Sequence, residues 1–265
     1  MKDTLWISRT EGVDCSTQEV QLCLACFPAA GTGAWVFNRF ARDLPQDIEV
    51  LPIEYPGSGQ RSLEKRHTSM QDIVQPCVAA LLPVLAEKPV ALFGHSLGAW
   101  IAFEVAHQLE ERGVALKRLY ACAERAPHLS AVSYDVDPTT FHVLDEPAFW
   151  HAFERRYGLP RALQTEVARR FAYPRLRADL EVFETYVPST SRRLDCDLVA
   201  IGAESDPRYT PDQISAWRQH TAGAFEERWF AGGHQFVRED PETLLAYLKE
   251  DLARTIQGQN TPTAS

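Results

Sequence analysis

The sequence predicts an α/β domain built on a mostly parallel sheet flanked by helices, and three observations carry that expectation. Short apolar runs bounded by turn residues alternate with longer stretches of helical spacing, the trace of strands joined by crossover helices. The run Val90-Ala91-Leu92-Phe93 leads straight into Gly94-His95-Ser96-Leu97-Gly98 and then into a helical pattern, so a G-x-S-x-G turn joins strand to helix. A chain of 265 residues, 45% hydrophobic and 24% charged, is long enough to bury the core such a sheet needs.

Taken in order, strands are expected at 20–27, 50–53, 90–93, 119–123, 198–203 and 227–230, with helices near 34–41, 70–85, 99–112, 211–221 and 241–253. In the third helix Ala99, Ala102 and Ala106 recur at helical spacing beside Ile101, Val105 and Leu109, which suits close packing on a sheet. Asp240-Pro241 reads as a capping residue before a proline at the first helical position. Between the fourth and fifth strands, residues 126–193 are too many for a crossover. Helices at 147–156 and 163–171, broken by Gly158-Leu159-Pro160 and by Pro174, make this segment a helical lid within one domain spanning 1–265. The polar tail 257–265 is expected to be disordered, and no internal repeat stands out.

A net charge of -9 argues against general binding to nucleic acid or to an anionic membrane, which needs a cationic surface. The first fifteen residues lack the apolar core of a signal peptide, and no run approaches the length of a membrane span, so the chain reads as cytoplasmic. Six cysteines stand at 15, 23, 26, 77, 122 and 196. Cys23 and Cys26 match C-x-x-C in form, but they lie inside a strand, where positions three apart face opposite sides. Buried packing in a reducing compartment is the better reading.

The G-x-S-x-G turn aims a serine hydroxyl out of the carboxyl edge of the sheet. Glycines flank it because a Cβ at either position would meet the neighbouring strand and helix. A serine is a poor nucleophile at neutral pH, so it needs an imidazole to accept its proton and an acid to orient that imidazole. In chain order these follow as acid, then histidine. Asp206 comes just after the fifth strand and puts a carboxylate at that same edge; Glu204 and Glu124 are rival acids. His234 follows the last strand after the turn Gly232-Gly233, whereas His95 points away from its neighbour's side of the turn, His142 lies in the insertion and His220 falls in a predicted helix. An oxyanion needs two preorganised donors. One is expected from the backbone N–H of Leu97 at the helix start, the other from the loop Pro28-Ala29-Ala30-Gly31-Thr32-Gly33.

With these residues assembled, the chain resembles the stand-alone type II thioesterases of nonribosomal peptide and polyketide synthase systems, members of the α/β-hydrolase superfamily. The match runs from about Leu22 to Tyr247 and includes Cys26-Phe27-Pro28-Ala29-Ala30-Gly31, Tyr55-Pro56-Gly57 with Arg61 and Glu64, and Leu92 through Gly98. It continues with Ala126-Pro127, Asp145-Glu146, Gly158-Leu159-Pro160, Pro174-Arg175-Leu176-Arg177-Ala178-Asp179-Leu180, Glu184, Tyr186, Trp217, Thr221 and Phe230 through His234. The arginine-alanine-aspartate run followed by glutamate and tyrosine is much narrower than G-x-S-x-G, and moves the reading from hydrolase to thioesterase.

The resemblance implies Ser96 as nucleophile, His234 as base, Asp206 as orienting acid and Ala30 as the donor beside Leu97. It implies hydrolysis of acyl groups from the phosphopantetheine arm of carrier proteins, clearing misprimed or stalled units, by a monomer that needs no metal or cofactor of its own. Two departures bear on substrate fit: Thr32 stands where glycine is usual, and Ser58-Gly59-Gln60 separates Gly57 from Arg61. Trp35, Phe37, Trp100 and Phe149 are candidate pocket residues. Between 150 and 178, Arg155, Arg156, Arg161, Arg169, Arg170, Arg175 and Arg177 face only Glu154 and Glu166 in the composition, a cationic stretch suited to steering an acidic carrier protein. Acyl transfer to another carrier or to an amine shares the same acyl-enzyme. A non-catalytic carrier-binding module of the same fold would be expected to have lost a triad member, and none is lost.

Overall fold

The structure, a computed structural model, describes residues 5–8, 20–85 and 88–258. Six strands, β1 Leu22–Phe27, β2 Ile48–Pro52, β3 Val90–His95, β4 Leu116–Cys122, β5 Asp197–Ala203 and β6 Phe225–Phe230, form one sheet in the order β2-β1-β3-β4-β5-β6. Every neighbouring pair is parallel. Parallel strands buried on both faces carry near-continuous apolar runs rather than alternation, and β1 and β3 are buried at every position. The two faces fill separate cores. Cys23, Ala25, Leu92, Leu119 and Leu198 pack with helices α2 Met70–Leu85 and α3 Leu97–Glu111. Leu24, Cys26, Phe93, Tyr120 and Ile201 pack on the other side with α1 Asn38–Asp43 and α8 Glu242–Ile256. Cys23 and Cys26 therefore lie on opposite faces, and burial pushes the Cys23 thiol up to about 12, far from a redox thiolate.

The register fixes where the chemistry sits. His95 pairs with Cys122, Cys122 with Ile201 and Ala203 with Phe230, so the loops leaving β1, β3, β4, β5 and β6 open on one edge. The expected strands all form, with ends moved by at most three residues. The helix predicted at 34–41 divides into a 3-10 turn Ala34–Phe37 and α1, and that at 211–221 into α6 Pro211–Ser215 and a 3-10 turn Ala216–His220. Asp240 does not cap α8; Pro241 itself is the N-cap residue, its carbonyl accepting from the Leu245 amide at 2.8 Å, and α7 Phe236–Glu239 precedes it.

The insertion carries α4 Glu146–Tyr157 and α5 Glu166–Thr185, started by Asp145 and Thr165, whose side chains accept from the amides of Ala148 and Ala168. The break expected at Pro174 does not occur: α5 runs straight through it. Pro174 faces solvent, so the carbonyl one turn earlier that loses its amide partner can bond water instead. Phe141, Phe149, Phe153, Leu176 and Leu180 give the insertion a small core of its own. Residues 259–265 of the expected tail lie outside the described residues; Gln257 and Gly258 close α8 in a turn. Among the described residues no helix is long and apolar enough to cross a membrane.

Candidate active site

Ser96 sits between β3 and α3 with φ 52°, a conformation that side-chain-bearing residues rarely adopt. A Cβ on Gly98 would overlap the carbonyl oxygen of Phe27, and one on Gly94 would overlap the backbone of Gly98 and Ala99. The turn is thus pressed between the end of β1 and the start of α3, and its register is held by the Ser96 amide bonding the Cys122 carbonyl at 2.8 Å. The serine side chain is turned toward the loop beyond β6, where it meets His234.

Those loops bring the two partners. His234 Nε2 lies 3.1 Å from Ser96 Oγ, and His234 Nδ1 lies 2.8 Å from Asp206 Oδ2. The Asp206 side chain is 4% exposed and that of His234 14%, so the pair is shielded from solvent. Asp206 is fixed twice: its amide bonds the Ala203 carbonyl, and its other carboxylate oxygen accepts the Arg208 amide at 2.9 Å. Amides of Glu204 and Ser205 bond the carbonyls of Phe230 and Gly232, extending the β5–β6 pairing beyond the sheet and locking the acid loop to the histidine loop.

The rival acids are elsewhere occupied. Glu204 is exposed. Glu124 is wholly buried after β4, accepts the Tyr209 hydroxyl at 2.7 Å, and is pushed up to about 7 by that burial. Among the other histidines, His142 bonds Glu184 and His220 bonds His128. His95, which sequence reasoning set aside, turns out to support the site: its Nε2 lies 2.8 Å from the His234 carbonyl. A carbonyl only accepts, so this nitrogen carries the proton. Burial holds the imidazole neutral by lowering it to about 3. The signal was present in the turn itself, because a residue flanking Ser96 must face one of the neighbouring loops.

His95→Ala is therefore expected to lower kcat by about ten- to hundredfold through a misplaced His234 backbone. It also changes acid sensitivity. A depressed folded value means stability present above pH 6.5 and lost as pH falls toward 3, so the wild type loses about 1.4 kcal/mol more per pH unit there than the variant. Urea titrations at a series of pH values read that difference directly.

A family model described as the thioesterase domain matches residues 23–252. The chain belongs to the thioesterase family. It is 36% identical over 237 residues to the thioesterase PikA5 of Streptomyces venezuelae, covering 89% of this chain and 81% of that one. The solved structure of RedJ, a thioesterase from the prodiginine pathway of Streptomyces coelicolor, matches with TM-score 0.79 at 33% identity, over 90% of this chain and 92% of that one. That of the type II thioesterase BorB from the borrelidin biosynthetic cluster matches with TM-score 0.79 at 30% identity, over 95% and 97%. The sheet and its flanking helices are those of an α/β-hydrolase fold, as the sequence resemblance implied.

Elsewhere in this thioesterase the expected pocket does not assemble from the residues chosen. Phe37 is buried on the far face of the sheet against Phe40 and Phe93. Phe149 lies in the core of the insertion, and Trp35 is 51% exposed. Trp100 is buried where α3 meets α5, stacked on Phe183 at 4.7 Å, and serves as the seat of the insertion. Aromatic type alone does not say which face of an element a residue occupies. The arginines divide too. Arg156 is buried against Asp135 and Asp137, and Arg155, its side chain half exposed, bonds Asp137. Arg175 lies over the Phe171 ring. Arg161, Arg170 and Arg177 are exposed and Arg169 half-buried, and none of these has an ion pair among the described residues.

Proposed function

We propose that this protein is a serine thioesterase that hydrolyses acyl or aminoacyl groups from the phosphopantetheine arm of carrier proteins, clearing misprimed or stalled units in natural-product assembly. The observation that carries the reading is the unbroken hydrogen-bond path from Ser96 through His234 to Asp206, at 3.1 and 2.8 Å, in a chain of the thioesterase family.

Ser96 Oγ attacks the thioester carbonyl as His234 Nε2 takes its proton, and Asp206 holds the Nδ1–H and steadies the imidazolium. Collapse of the tetrahedral intermediate breaks the C–S bond; the thiolate leaves readily and takes the proton held on His234 Nε2, so the phosphopantetheine thiol is released and His234 is neutral again. His234 then draws a proton from water, whose oxygen attacks the acyl-serine; the acid departs and the proton returns to Ser96. The oxyanion is received by the amides of Leu97 and Ala30. Leu97 opens α3, where the first amides have no partner in their own helix and the helix dipole favours negative charge. No loop or turn hydrogen bond engages the Ala30 amide among the described residues. Among those residues there is also no group of three or more side chains suited to a metal.

The insertion acts as the lid, and its unpaired arginines 161, 169, 170 and 177 meet the acidic carrier in a protein that is otherwise net negative. The enzyme works as a cytoplasmic monomer; the five described cysteines, all buried and unpaired, support a reducing compartment. The test is hydrolysis of short, long and aminoacyl groups loaded on carrier proteins, each compared with the same group on a small thiol. Carrier-bound substrates are expected to be preferred, with kcat/KM falling about tenfold between low and about 0.3 M salt, while small-thiol substrates change less than about twofold. Equal rates on carrier and small thiol at all salt concentrations would remove carrier recognition from the proposal.

A further inference from the structure

The loop after β1 is held from two sides, and one of the two holds reaches across from the insertion. On the near side the Ala29 carbonyl accepts both the Thr32 amide at 3.1 Å and the Thr32 hydroxyl at 2.7 Å. That carbonyl belongs to the same planar peptide unit as the Ala30 N–H, and in a trans peptide the two point in opposite directions. Fixing one aims the other. On the far side the Gly31 amide, in the next peptide unit, donates to Asp179 Oδ2 at 2.7 Å. Gly31 has φ 73°, so a side chain there would be strained, and its built Cβ would fall on Leu176 of α5. The two peptide units flanking the Ala30 α-carbon are thus pinned independently, leaving the Ala30 N–H as the unengaged donor between them.

Asp179 is itself held. Its other oxygen pairs with Arg66 at 2.7 Å, with side-chain exposures of 6% and 7%, and Arg66 also donates to Ser58 Oγ, which donates to the Thr32 carbonyl. The path closes on the loop it began from. A carboxylate almost out of solvent, balanced by one guanidinium and spending its second oxygen on a single backbone amide, is an expensive way to secure a surface turn. It is a sound way to set a donor that must be preorganised.

We propose that Asp179 is a positioning residue that sets the Ala30 amide as an oxyanion donor, so that the donor pair is complete only while α5 is seated on the β1 loop. This rests on the serine-thioesterase reading above. Lid seating and completion of the catalytic site are then one event, and an acyl group bound under an unseated lid is not attacked productively. Thr32, which departs from the family pattern, reinforces the same loop through its hydroxyl.

The experiment compares wild type with Asp179→Ala and Asp179→Asn on an acyl thioester of a small thiol. It measures kcat, KM and the inhibition constant of an alkylboronic acid, whose tetrahedral adduct with Ser96 places an oxygen between the donors. Asp179→Ala is expected to lower kcat about a hundredfold, in the range for loss of one oxyanion donor, with KM within threefold and boronate affinity weakened in proportion to kcat. Asp179→Asn, which keeps an acceptor for Gly31, is expected to recover to within about tenfold of wild type. A folded Asp179→Ala enzyme with kcat within threefold of wild type overturns the proposal, as does a loss confined to KM with boronate affinity unchanged. If Asp179→Ala does not fold, the double variant Arg66→Met/Asp179→Leu decides the matter, since it removes the acceptor of the Gly31 amide and leaves no uncompensated buried charge. A fall in kcat of tenfold or more with boronate affinity weakened in proportion supports the proposal, and kcat within threefold of wild type overturns it. Failure of the underlying reading looks different, because then wild type itself does not turn over acyl thioesters, or Ser96→Ala does.

Discussion

Ser96→Ala is expected to lower kcat for thioester hydrolysis by at least about 10⁴-fold while leaving the melting temperature within a few degrees of wild type. In serine hydrolases whose nucleophile has been removed, losses reach about 10⁶-fold, and what survives comes from the oxyanion donors and binding alone. The fold should tolerate the change. Alanine bears the same φ penalty as serine at 52°, and among the described residues the only hydrogen bond deleted is the one from Oγ to His234. Asp206→Asn is expected to cost about 10⁴-fold by a separate route, since the amide can favour the wrong tautomer of His234 while geometry is kept. Because the residues act as a unit, Ser96→Ala combined with His234→Ala should be no slower than either alone. Burst kinetics on a chromogenic ester and labelling by a fluorophosphonate probe give the readouts. Hydrolysis retained by Ser96→Ala would dismiss Ser96 as the nucleophile.

The strand-turn-helix around Ser96 was legible because each requirement is local: an apolar run, two glycines where backbone crowds backbone, and alanines that let α3 lie close to the sheet. Asp206 and His234 were legible from chain order, since a parallel sheet delivers every strand's carboxyl end to the same edge. What chain order cannot supply is which loop side chain meets which. His95 looked like a bystander until the His234 carbonyl was placed against it. Asp179 stood within the run that marked the family, yet its partners, Gly31 and Arg66, lie 148 and 113 residues away. The pocket aromatics failed for the same reason, as Phe37 and Phe149 differ only in which layer their element joins. Pro174 misled because a proline's cost depends on whether the abandoned carbonyl faces water or protein.

Asp135→Ala carries the largest stability loss we expect from a single substitution. The Asp135 carboxylate is 2% exposed and faces three guanidinium groups: Arg208 at 2.7 Å, Arg125 at 3.4 Å and Arg156 at 3.9 Å. Arg125 is completely buried, with its remaining donors on the carbonyls of Leu129 and Ser130 and its face over Trp100 and Phe183. It cannot swing to solvent. Removing the anion leaves Arg208 buried with no ion pair among the described residues, while Arg156 keeps Asp137 at 3.5 Å and Arg125 keeps Glu124 at 3.6 Å. A buried charge left without its partner costs about 3–5 kcal/mol, whereas replacing the whole set by apolar groups of like volume would cost far less. For a chain of this size that is a fall of about 6–15 °C in melting temperature. Asp135→Asn keeps an acceptor but not the charge, and should fall between the two. The loss should also reach the active site. Arg208 donates its amide to Asp206, and the Trp100–Phe183 stack seats α5 on α3. Below its melting transition, Asp135→Ala should therefore show a lowered kcat beyond what the unfolded fraction explains. A melting temperature within about 2 °C of wild type would mean that water reaches these arginines, and the buried network would not be what joins the insertion to the sheet.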